Sequence, residues 1–214
     1  MLFGILLVQL FIHYVYSYNL KIKYSKISII FQKPLIPLIQ NSLQNRYKSS
    51  FSISLKHNYF KDFFNVYKHK IYLNDDFLNS NIYSLVNLIF INESSKWITI
   101  KDQNYQLVNK ILAISFLTLS WILLLISLWV SALVFMCLFL IIILVDFLWN
   151  YRKFQNIYLN SKNYLISHYH NQNLTLILSY LKYKKFFILQ KYLTFYTQII
   201  TECIKTFKKW GQNE

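Results

Sequence analysis

KILAISFLTLSWILLLISLWVSALVFMCLFLIIILVDFLW, residues Lys110–Trp149, carries no charge from Ile111 to Val145. As one straight helix it would run roughly 57 Å, against a bilayer hydrocarbon core of about 30 Å. An ordinary tilt of about 20° does not absorb that excess. Two legs of about nineteen residues would each span, joined by a tight turn near Ser127–Ser131. No Gly, Pro or Asn marks such a turn, so periodicity and length alone leave one helix and two both open.

Charge separates the alternatives. Residues 18–110 hold thirteen Lys/Arg against five acids, and residues 151–214 hold ten against two, so each flank has a net charge of +8. A single span would place these equal flanks on opposite sides, contrary to the rule that basic segments remain on one side. Close to the membrane the flanks also match, with Lys96, Lys101 and Lys110 before the run and Arg152, Lys153 and Lys162 after it. A hairpin over 111–149 puts both flanks on the same, inner side, with Lys110, Arg152 and Lys153 as interfacial cations. Residues 1–18 predict a further span, apolar from Leu2 and without Lys or Arg until Lys21. The expectation is a retained helix rather than a signal peptide cleaved before Tyr18, with the amino terminus outside.

Residues 19–110 read as a small mixed α+β segment. LKIKY (20–24), FSISL (51–55) and WITIK (97–101) alternate in the manner of half-buried strands. QKPLIPLIQN (32–41) contains both prolines and reads as an extended connection. Asp75 and Asp76 are positioned to cap a short helix with Leu78, Ile82, Leu85, Val86 and Ile89 on one stripe. Residues 150–214 predict a basic amphipathic helical tail, with Leu174, Leu178, Leu181, Ile188, Tyr192, Phe195, Ile199 and Phe207 on its apolar side. The predicted class is thus a mainly α membrane protein with an amino-terminal span, a hairpin, a mixed insertion and a helical tail.

Catalytic motifs do not emerge. The sequence holds no phosphate-binding loop, dinucleotide fingerprint, nucleophile elbow or HExxH, and Gly occurs only at positions 4 and 211. No catalytic, cofactor-binding or metal site is predicted. His168 and His170 point about 200° apart on a helix, which favours surface roles over metal binding. Cys137 and Cys203 have no ligand or disulfide spacing. Gln9 and His13 share one helical face and are candidates for intramembrane hydrogen bonds, since an unsatisfied polar group in lipid costs several kcal/mol. His13 has no second membrane histidine with which to hold haem. Asp146, the one acid in a predicted span, is expected to pair with Arg152 or Lys153 near the interface rather than to relay protons. The net charge of +15 also fits a nucleic-acid binder, but a thirty-five-residue uncharged run fits poorly against RNA. Anionic lipid and neighbouring subunits are the expected partners.

Composition adds a different kind of information. The chain has two Gly, two Pro, two Arg (Arg46, Arg152) and two Ala (Ala113, Ala132), while Phe, Ile, Lys, Asn, Tyr and Leu dominate. Such usage departs far from the ordinary and follows codons rich in A and T. With its apolar start and membrane runs, the whole chain resembles the orphan inner-membrane proteins encoded by AT-rich, ciliate-type mitochondrial genomes. The resemblance is one of style and transfers no residue roles. It implies location in the mitochondrial inner membrane and a non-catalytic role as a membrane subunit of a respiratory-chain complex. The same group also implies two alternatives, a divergent peripheral-stalk b-like subunit of ATP synthase and a mitochondrial ribosomal protein.

Overall fold

The computed structural model describes residues 2–55, 64–73, 75–169 and 173–185, without the side chains of 2–7, 9 and 10. Six helices and a small sheet make up the described chain: α1 (Leu2–Ser25), α2 (Leu35–Tyr47), β1 (Ser52–Ser54), β2 (Phe64–Asn65), β3 (Lys70–Tyr72), α3 (Ile82–Trp97), α4 (Ile100–Leu125), α5 (Trp129–His168) and α6 (Leu174–Lys184). The sheet order is β1-β3-β2, with β1 parallel and β2 antiparallel to β3. Ile71, at its centre, lies opposite both Ile53 and Phe64.

The body is built around α3. Residues 82–95 of this helix are buried on every side apart from the half-buried Tyr83; among them the polar Ser84, Asn87, Ser94 and Ser95 donate to backbone carbonyls. Asn81 caps it, its Oδ1 accepting the Ser84 amide at 2.8 Å. The expected caps Asp75 and Asp76 instead sit in a separate 3-10 turn (Asp75–Leu78), and Leu78 is exposed rather than part of the apolar stripe. The reason is the extended residue at 81, whose side chain reaches the amides that Asp75 and Asp76 are too far upstream to cap. At the other end of α3, Arg46 Nη1 donates to the Ser95 carbonyl at 2.5 Å and Tyr47 Oη to the Ile98 carbonyl at 3.1 Å. Those bonds supply donors where a helix end lacks them, and they fasten α2 to α3 together with the buried Ile39 and Leu43.

Three expected elements differ in the structure. LKIKY is the last part of α1, and WITIK divides between the end of α3, a two-residue link and the start of α4. Alternation over five residues is too short a signal to resist the packing of α1 and α3 against each other. QKPLIPLIQN is helical from Leu35: Pro34 is the cap residue and Pro37 lies in the first turn, where a missing N–H removes no intrahelical bond. FSISL does form a strand, β1.

The apolar run forms two helices, and both exceed the expected limits of 111–149. α4 starts eleven residues earlier, and α5 continues without interruption to His168. The first part of the predicted tail is therefore the second half of α5, whose Phe154, Ile157 and Leu165 enter the same core as α3. α6 covers Leu174, Leu178 and Leu181, while the tail positions Ile188 to Phe207, with Cys203, lie outside the described residues, as does His170.

The turn at 126–128 uses no glycine. The Ser127 amide donates to the Leu124 carbonyl at 3.2 Å and the Leu128 amide to the Leu123 carbonyl at 2.9 Å, the paired bonds of a Schellman cap. Ser127 occupies its left-handed position at φ 63°, which costs a residue with a Cβ roughly 1–2 kcal/mol. Replacing Ser127 with Gly is therefore expected to raise the unfolding free energy by about 1 kcal/mol, and Ser127→Val to lower it. Thermal unfolding in detergent followed by circular dichroism checks both signs.

Candidate functional site

Four contacts set the register of α4 on α5. Lys153 Nζ binds Asp102 Oδ1, the Tyr105 and Trp149 rings lie 5.8 Å apart, and the Phe116 and Phe135 rings also 5.8 Å. Ser120 Oγ donates to the Ala132 carbonyl at 3.0 Å. Partner numbers rise on one helix as they fall on the other, so the helices run antiparallel. Buried positions recur at Asp102, Gln106, Lys110, Ala113, Leu117, Ser120 and Leu124, and at Ala132, Phe139, Asp146 and Asn150. Steps of three, four and seven give the seam of a left-handed helix pair.

The seam has two halves. Toward the turn it is small and apolar, with Ala113, Leu117, Leu124, Ala132 and Phe139 around the single hydroxyl of Ser120. Toward the body it is polar, with Asp102, Gln106, Lys110, Asp146 and Asn150. Asn150 Nδ2 donates to Asp146 Oδ1 at 2.8 Å, a bond between positions one turn apart on α5. The register brings Lys110 within about one helical turn of Asp146 along the pair. Both are buried and neither charge stands without a partner. Opposite charges in one layer reduce each other's cost of burial, which is large for an isolated charge.

This arrangement corrects the expected site. Lys110 is inside the seam rather than interfacial, and Lys153 pairs with Asp102 rather than Asp146. Arg152 is exposed. The difference follows from helical phase: Asp146 faces α4, and the positions six and seven residues on reach the level of Asp102. Asp102 completes a reciprocal cap, accepting from the Thr99 amide at 2.9 Å while its own amide donates to Thr99 Oγ1 at 3.2 Å. The T-x-x-D spacing at 99–102 was readable as a cap signal in the sequence; the ion pair across fifty-one residues was not. His13 is half-buried and its Nε2 has no hydrogen-bond partner among the described residues. The side chain of Gln9 lies outside them.

The outer faces of the pair invert the pattern. Leu119, Ile122, Val130, Leu133, Val134, Leu140, Ile141, Leu144 and Leu148 are all exposed. Only 28% of the most apolar stretch of α4 and 17% of that of α5 is buried inside the protein. Both helices are long and apolar enough to cross a membrane.

A second polar cluster fastens α1 and α6 to α3. Tyr24 and Tyr180 have ring centroids 4.8 Å apart, and Tyr83 and Tyr180 5.8 Å. Tyr24 Oη and Ser179 Oγ are 2.7 Å apart, and Asn87 Nδ2 donates to Tyr180 Oη at 3.1 Å. Burial pushes the Tyr83 and Tyr180 hydroxyls well above the usual tyrosine range and Tyr183 up to about 12, so all three stay neutral hydrogen-bonding groups. Lys184 Nζ lies 5.9 Å over the Phe90 ring, and burial pushes its pKa down to about 8.

Among the described residues, no three His, Cys, Asp or Glu side chains are grouped to hold a metal ion. Comparison with known proteins returns no match: no family model, no curated protein and no solved structure.

Two measurements check these assignments. Asp102→Asn removes the ion pair and weakens the side-chain half of the cap, and is expected to cost about 1–2 kcal/mol. In a double-mutant cycle with Lys153→Gln, a coupling of about 1 kcal/mol is expected, limited by the partial exposure of Lys153. For Lys184 the unfolded chain takes up its proton first as pH falls from about 10.5. Stability should therefore decline between about pH 10.5 and the folded value near 8, then level off. Lys184→Met should flatten that part of the pH profile.

Proposed function

We propose that this chain is a non-catalytic integral membrane subunit of a respiratory-chain complex of the mitochondrial inner membrane, serving assembly and structural support. The observation that carries the membrane part is the α4–α5 pair itself, whose seam buries Asp102, Lys110, Ser120, Asp146 and Asn150 while its outer faces are apolar and exposed. In water an apolar surface of that extent would drive association, whereas lipid covers it at no such cost. From Trp129 to Trp149 the helix rises about 30 Å, the thickness of the hydrocarbon core, with an indole at each end where interfacial aromatics belong. Equal basic flanks support a hairpin with the body on the inner side.

The respiratory-complex part is supported by the resemblance in composition. α1 supports a third span. Val8, Phe11, Ile12 and Val15 are exposed on its first half, and its second half packs into the body through Leu20 and Tyr24. A second reading, the peripheral-stalk b-like subunit, draws on the unbroken passage of α5 from the apolar run to His168. Against it, one face of the second half of α5, with Phe154, Ile157 and Leu165, packs into the chain's own body, whereas a stalk helix extends into solvent.

Isolation of the native complex distinguishes the readings. Cofractionation with haem or flavin supports the first, cofractionation with the catalytic head of ATP synthase supports the second, and cofractionation with ribosomal RNA overturns both. Topology has its own test, protease access in sealed vesicles. Cleavage after Lys33 and after Lys184 from the same side, with a cysteine introduced at Ser131 labelled only from the other, is the expected outcome. Access to Lys33 and Lys184 from opposite sides would sink the hairpin.

A further inference from the structure

We propose that the inner end of the α4–α5 pair carries a binding collar for anionic phospholipid headgroups, made by Lys68, Lys101 and Arg152 beside the rings of Tyr67, Tyr105 and Trp149. This inference rests on the membrane reading above and names the residues and the depth at which the expected anionic lipid would be held.

Depth is the first argument. The Tyr105 and Trp149 rings, tilted against each other at 5.8 Å, lie six and four residues outside the two ends of the uncharged run, the level favoured by amphipathic aromatic rings. Arg152 lies three residues beyond Trp149 and Lys101 four residues before Tyr105, so both sit about 5–6 Å to the aqueous side of the ring pair. That is the depth of lipid phosphates. The register of the helices sets Lys101 and Arg152 at one level, and both side chains are exposed.

A separate element supplies the third cation. Gln103 Nε2 donates to the Phe64 carbonyl at 3.0 Å and Asn104 Nδ2 to Tyr67 Oη at 2.9 Å. These bonds hold the turn between β2 and β3 against the first turns of α4, one residue from Tyr105. Lys68, next in that turn, is exposed, and its amide is held by Asn65 Oδ1 at 3.4 Å.

Charge balance points the same way. Of the acids among the described residues, Asp102 is buried and bound to Lys153, Glu93 is buried and bound to Lys96 at 2.5 Å, and Asp146 is inside the seam. Asp75 and Asp76 lie at the far end of α3. The three collar cations thus face no carboxylate among the described residues. Like charges gathered at one depth repel each other, and a phosphodiester between them removes that repulsion; the Arg152 guanidinium also fits it with two parallel hydrogen bonds.

The test uses the full chain reconstituted in vesicles of phosphatidylcholine containing about one-third phosphatidylglycerol. Native mass spectrometry of the protein released into detergent reads which lipid is retained. Wild-type protein should retain phosphatidylglycerol in preference to phosphatidylcholine. Lys68→Gln, Lys101→Gln and Arg152→Gln should each reduce that preference roughly fivefold, given about 1 kcal/mol per basic residue at an anionic surface. Lys101→Arg should keep it, as should Lys33→Gln and Lys48→Gln, exposed cations of the body. Circular dichroism establishes that each variant is folded, and any one folded Gln variant decides the matter. Equal retention of the two lipids, or a preference unchanged in these variants, overturns the collar. So does displacement of phosphatidylglycerol by an RNA oligonucleotide whose binding the same substitutions abolish. Flotation separates the two levels of the argument: protein that floats with vesicles but shows no lipid preference defeats only the collar. Protein left in the detergent-free supernatant defeats the membrane reading as well.

Discussion

Asp102 is the joint on which the architecture turns. One carboxylate accepts the Thr99 amide and hydroxyl, closing the first turn of α4, and binds Lys153 of α5. Two helices that leave the body for a long apolar excursion are thereby fastened at their common root. Two residues upstream of Thr99, α3 ends under the hydrogen bonds from Arg46 and Tyr47. The exit direction of α4 is consequently set by α2 and α3, and that of α5 by α4. Without that root, the seam further out would have to find its own register among residues as interchangeable as Leu, Ile and Phe.

The polar half of the seam addresses that register problem. An apolar seam bathed in lipid gains little from hydrophobic burial, because the alternative contact is equally apolar. Specificity then comes from size and from hydrogen bonds: Ala113 and Ala132 allow close approach, Ser120 bonds across to a backbone carbonyl, and the buried Lys110 and Asp146 bring opposite charges into one layer of the seam. A slip that carried Lys110 away from Asp146 would leave charge in an apolar setting, which costs several kcal/mol. Moving outward from Lys110, Ser120 is the one fully buried polar residue of the seam.

Much of this was legible in the sequence at coarse scale. The uncharged run, the matched basic flanks and the missing catalytic motifs all come from residue identity, and the division of the run into two helices agrees with the expected turn to within a few residues. What was not legible has one physical source: contacts distant in sequence. Asp146 was read against Arg152 and Lys153, its near neighbours, but α4 takes Lys153 for Asp102 and brings Lys110 toward Asp146. LKIKY and WITIK alternate as strands do, yet tertiary burial of Tyr24 and Ile98 decides them. QKPLIPLIQN failed for a local reason, since prolines that exclude a helix interior are compatible with its first turn.

Composition and conformation meet at the turns. The described residues include four with positive φ, Lys48, His69, Ser127 and Asn173, and none of them is glycine. Each stands at a point where the chain must reverse or end a helix: after α2, between β2 and β3, between α4 and α5, and before α6. Glycine would adopt these angles without a Cβ penalty; Asn173 is the mildest substitute and Ser127 and Lys48 harsher ones. A sequence depleted of glycine therefore carries a penalty of roughly 1 kcal/mol at each of several turns. The offset comes from elsewhere in the same segments. Lys48 follows the α2 residues that hold α3, His69 has its ring 5.5 Å from that of Phe51, and Ser127 closes a helix pair locked at its other end by Asp102. Turns of this kind are maintained by what they connect rather than by their own preference, so the weakest points of the chain are secured at a distance, through the core around α3 and the root of the helix pair.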